Sequence, residues 1–124
     1  MPQLSSAIIK EKIPIKNLKL VLEKDDILLD CIKQGMIENN VTKCDVASVS
    51  GKINGLITCM DGHKFKSIEL KEQELLKASG HFKYGYGELY GKLNVSTAGR
   101  KPFCGTLVKG TALEGFEINL TFIQ

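Results

Sequence analysis

The sequence predicts an α+β fold, with one main helix packed on a mostly antiparallel β-sheet of about seven strands. Two observations carry this. Leu28, Ile32 and Met36 sit four apart, the repeat of a helical core stripe. From Cys44 onward the chain breaks instead into short segments that alternate apolar with polar residues or cluster β-branched ones, joined by glycines. One early helix with only strands after it lacks the repeated strand–helix alternation of a parallel sheet, so a mostly antiparallel one is expected.

Each element can be taken in order. Residues 1–16, "MPQLSSAIIKEKIPIK", read as an N-terminal arm, with an edge strand as one form of it. Leu18, Leu20 and Leu22 then alternate with polar neighbours as a half-buried strand. "KDD" opens the helix, because Asp25 or Asp26 can accept from free first-turn amides and both carboxylates suit the positive end of its dipole. Gly35 costs a helix interior about 1 kcal/mol relative to Ala, which points to close packing there. "ENN" ends the helix, with Asn39 or Asn40 able to take a left-handed cap.

Strands follow: "CDVASVSG", "GLITCM", "FKSIEL", then 75–84, in which Leu76, Ala78, Gly80, Phe82 and Tyr84 share one face. Glu72 and Glu74 fall in a charged connector between the last two of these, and "GYGELYG" reads as a turn or loop. In "LYGKLNVS", Leu89, Leu93 and Val95 face inward, and Tyr90, Lys92, Asn94 and Ser96 face outward. "TAGRKP" is a turn, "FCGTLVKG" a strand, and "FEINLTF" a last strand with Phe116, Ile118, Leu120 and Phe122 inside. The expected organisation is a single domain over 1–124 with its core at 17–122.

Composition narrows the function classes. With 43% hydrophobic and 25% charged residues the chain reads as an ordinary globular protein. The net charge is +3, and Lys is interleaved with Glu as in "IELKEQELLK", so a polyanion surface is disfavoured. The longest apolar run is far short of a membrane span. Four cysteines spaced by 13, 15 and 45 residues form no CxxC, and without a secretory signal they suggest a reducing, cytoplasmic setting. Cys31 and Cys59 read as buried free thiols.

Catalytic signatures are sparse. There is no GxSxG, no Walker loop and no GxGxxG opening a helix, so no catalytic set or cofactor is assigned. His63 lies in a turn and His81 on the polar face of a strand; with no further ligands at metal spacing, no metal site is read from the residues themselves. An enzyme using His81 or Cys104 stays open as an alternative. "HFKYGYGELYGK" interleaves bases with Tyr84, Tyr86 and Tyr90, and "AGRKP" approaches an AT-hook core, so a DNA-associated protein is a second alternative.

The order of these elements, with the words "VASVSGKINGLIT", "LLKASGHF" and "LYGKLNVSTAGRKPFCGTLVKG", resembles the PPC (plant and prokaryote conserved) domain over roughly residues 17–122. The resemblance implies a strongly bent antiparallel sheet and assembly as a homotrimer. Many prokaryotic members look like metal binders through a His-x-His in the strand matching 89–96 and a further His in a Gly-Gly-His-Leu word. Here Lys92 and Asn94 stand at the first two positions, and Thr106, in "CGTL", at the third. A protonated Lys cannot ligate, and Asn and Thr are poor zinc ligands, so the resemblance implies a site that has lost its metal. Ser50 and Lys52 from the first glycine-marked loop, Arg100 from the turn and His81 complete the expected ligand-binding set. Such donors suit a small anion. A solvated polar patch at a subunit boundary is the alternative.

Overall fold

The computed structural model describes residues 14–123. Seven strands and one helix run in the order β1 (Ile15–Leu22), α1 (Leu28–Glu38), β2 (Lys43–Ser50), β3 (Lys52–Asp61), β4 (Lys64–Gly85), β5 (Glu88–Thr97), β6 (Cys104–Ala112) and β7 (Phe116–Ile123). All the strand pairings are antiparallel, in the order β1-β7-β2-β4-β3-β6-β5, and β4 also pairs with β5. The last pairing closes β4, β3, β6 and β5 into a ring. Among the described residues the sheet is therefore open only on its β1 side, and it bends sharply where β4 passes from one half of the ring to the other.

That passage corrects one expectation. "FKSIEL" and 75–84 are a single 22-residue strand rather than two, and Glu72 and Glu74 lie within it. Glu72 takes a positive φ of 45°, and its N–H donates to Asn54 Oδ1 at 2.7 Å. The register slips between Ile53 and Gly55 on β3, and again between Leu75 and Lys77 against β5. These irregularities let the chain change direction without leaving the sheet. The sequence shows only a charged interruption there.

The helix forms where its stripe requires, and Leu28, Ile32 and Met36 are fully buried. Its start is different from the expectation. Ile27 occupies the N-cap without a side-chain bond, and Asp26 Oδ2 instead accepts from the Glu23 N–H at 2.8 Å, closing the turn before the helix. Ile27 bridges to Thr111 and is held by the sheet, so the carboxylate is free to cap the turn. At the other end Asn40 adopts φ 54° and Asn39 Nδ2 donates to the Gly35 carbonyl, as the "ENN" reading expects. A Cβ at Gly35 would come within 2.8 Å of Leu20 Cδ2, which accounts for glycine in a helix interior packed on β1.

β1 starts at Ile15, so the last residues of the expected N-terminal arm are strand, and residues 1–13 lie outside the described ones. The core joins the helix stripe to Phe82, Phe116, Leu93, Ile118 and Leu120. The buried thiol is Cys44, whereas Cys31 and Cys59 are only partly buried. Burial, and secondarily the neighbouring Asp45, push the Cys44 thiol up to about 11. No helix among the described residues is long and apolar enough to cross a membrane.

Candidate functional site

Antiparallel register decides which side chains meet. Lys77, Ser79 and His81 alternate with core residues on β4 and share one face, as do Lys92, Asn94 and Ser96 on β5. Ser79 pairs with Asn94, Asn94 with Thr106, and Thr106 with Thr58. The result is an unbroken row of short polar side chains across β4, β5, β6 and β3. The next row is Lys77, Ser96 and Cys104, and the row on the other side is Asp45, His81 and Lys92.

Hydrogen bonds order these rows. Thr106 Oγ1 donates to Asn94 Oδ1 at 2.8 Å, which turns the Asn94 amide hydrogens away from Thr106 as free donors. Ser96 Oγ and Cys104 Sγ lie 3.2 Å apart. His81 Nδ1 meets Asp45 Oδ1 at 2.8 Å, which fixes the ring and leaves Nε2 outward.

The central row and the Lys77, Ser96 and Cys104 row line an open groove of about 610 Å³, walled further by Met60 and Phe65. A larger cleft of about 1110 Å³ lies over β3, β4 and β6. Its lysines, Lys24, Lys71 and Lys109, stand among Asp25, Glu69, Glu72 and Glu114, so it has no net attraction for an anion. The smaller groove has the coherent chemistry: one ammonium and a bank of neutral donors, with no carboxylate in its lining.

The sequence-derived set divides. Asn94 and Thr106 are bonded neighbours in this groove. Lys92 lies two residues from Asn94 on the same face, about 7 Å along the strand, and pairs with His81 at the groove's end. Ser50 and Lys52 do not join them. Ser50 pairs with Glu117 and Lys52 with Glu74, and Lys52 is six residues, about 20 Å, from Thr58 along β3. Arg100 is exposed in the β5–β6 turn, outside the groove lining. Lys77, Ser79 and Ser96 are groove residues that the sequence reading left out. The alternation of "LLKASGHF" and "LYGKLNVS" marked their faces, but only the β4–β5 register shows that the two faces coincide.

The donor set does not fit a metal ion at the three positions matching the family's histidines. Lys92 offers an ammonium, and the Asn94 oxygen is already engaged by the Thr106 hydroxyl. Among the described residues no three His, Cys, Asp or Glu side chains gather as ligands.

No family model matches the chain, and no curated protein matches it. Solved structures do. A metal-containing protein from Archaeoglobus fulgidus superposes with a TM-score of 0.73 at 18% identity, over 91% of this chain and 84% of that one. A plant- and prokaryote-conserved (PPC) protein from Pyrococcus horikoshii gives 0.72 at 20% identity, over 93% and 84%. A candidate DNA-binding protein from Ralstonia eutropha gives 0.63 at 12% identity, over 86% and 76%. With this strand order, its closed ring and these superpositions over nearly the whole described chain, the protein has a PPC-like fold.

Proposed function

We propose that this is a binding or regulatory module for a small anion such as a phosphate or carboxylate, held in the groove of β3, β4, β5 and β6 without a catalytic metal. One observation carries the reading: the row Ser79, Asn94, Thr106 and Thr58 is flanked by Lys77 on one side and Lys92 on the other. Neutral donors with Lys77 in the groove and Lys92 at its edge suit an oxyanion, because an ammonium supplies charge and the amide and hydroxyls fix orientation. Thermal-shift titration with inorganic phosphate and with citrate should raise the melting temperature of the wild type by a few degrees. Lys77→Ala and Lys92→Ala should each lose most of that shift while melting normally in buffer. Equal shifts in wild type and variants, or no shift at all, would remove the reading. Retention of duplex DNA at low salt with no response to phosphate would favour the Ralstonia protein's description instead.

The functional unit in this reading is a homotrimer. The support is the family resemblance together with the apolar side chains left exposed at the open side of the sheet. Ile15 and Ile123 are directly paired there, each 66% exposed, and Val21 is exposed at the far end of β1, six residues away. Light scattering should give three times the mass of one chain, and Ile123→Asp should shift the protein towards monomer without changing its melting profile at high dilution. A wild-type monomer at micromolar concentration would dispose of the assembly.

A further inference from the structure

The groove has two unlike walls. One is polar: Lys77, Asn94, Ser96 and Thr106. The other is built by Met60 and Phe65, a cross-strand pair near the tip of the β3–β4 hairpin. Phe65 is 79% exposed and Met60 57%, so neither contributes appreciably to the core. The tip itself is polar, with Asp61, Gly62, His63 and Lys64, and the fold would be satisfied by polar residues at both positions. A flat ring held open to solvent on the edge of a polar groove is a stacking surface, and a thioether beside it extends that surface. The volume of about 610 Å³ falls in the range of small-molecule sites and exceeds what a bare oxyanion fills.

We propose that the anion bound here carries an aromatic ring, as a nucleoside monophosphate does, with the anionic group against Lys77 and the Asn94–Thr106 pair and the ring stacked on Phe65. This rests on the small-anion reading of the same groove. It adds the ligand's second half and assigns a binding role to a residue that has none in folding.

Calorimetric titration with inorganic phosphate, ribose 5-phosphate and AMP separates the two layers. AMP should bind about fivefold or more tighter than ribose 5-phosphate, the low end of what one stacked base contributes. Phe65→Ala should abolish that difference and leave phosphate affinity unchanged, and Phe65→Tyr should restore it. Because Phe65 is exposed, its removal should leave the melting temperature within a degree or two, which guards against a folding artefact. If phosphate binds but AMP binds no tighter than ribose 5-phosphate, the ring inference fails and the anion site stands. If AMP keeps its advantage in Phe65→Ala, the ring lies elsewhere and the assignment of Phe65 is wrong. If none of the three binds, both readings fail together.

Discussion

Phe82→Ala should cost about 3–5 kcal/mol and lower the melting temperature by roughly 10–20 °C, measured by thermal and denaturant unfolding. The side chain is fully buried. It sits on β4 where that strand is flanked on both edges, with Cys44 of β2 opposite it on one side and Gly91 of β5 on the other. A Cβ on Gly80 would come 3.1 Å from its ring, and one on Gly91 2.8 Å, so the backbone is already drawn tight around it. A cavity there has little freedom to collapse, which puts the loss towards the upper end. A change under 1 kcal/mol would mean that the centre of the sheet is packed far more loosely than described.

The second large effect is expected at Gly91. Its φ of 137° is one that L side chains rarely adopt, and an added Cβ would run into the His81 carbonyl oxygen. Gly91→Ala should therefore cost at least about 2 kcal/mol, combining backbone strain with a clash that only strand movement can relieve. The consequence reaches the groove, because Lys92 and Asn94 are the next outward residues on the same strand. The phosphate response in the thermal-shift assay should fall along with stability, even though Gly91 offers no side chain to a ligand. Gly62→Ala is the matched control. It also has positive φ, at 67°, but an added Cβ there meets nothing within 4 Å, so it should cost less and leave the ligand response intact.

The strands and the helix stripe were legible because periodicity depends on neighbours in sequence. Leu28, Ile32 and Met36 could be assigned to the core from spacing alone, and so could Leu93 and Val95. The run 64–85 was not legible as one strand, since Glu72 looks like a solvated connector until Asn54 is known to hold its amide. The helix start was misplaced for a related reason: Asp26 has a good capping side chain, but the bridge from Ile27 to Thr111 had already fixed where the helix begins. The site followed the same division. Asn94 and Thr106 were placed together by resemblance, and they are bonded. Ser50 and Lys52 were grouped with them by a glycine-marked word, but the length of β3 separates them. Lys77 and Phe65 could not be found, because nothing local says that residues twelve apart on one bent strand face a common groove.

The pairing of β1 with β7 has a consequence for how the molecule comes into being. Ile15 lies beside Ile123, so the first and last described strands are neighbours, and among the described residues β7 alone links β1 to β2 in the sheet. During synthesis β1 emerges early with no strand to complete it, and the ring of β3 to β6 can close while it waits. The helix can settle on β6 through Ile27 and Thr111, but β1 finds its strand partner only after Phe116–Ile123 has left the ribosome, which makes that eight-residue strand the latch for a segment translated about a hundred residues before it.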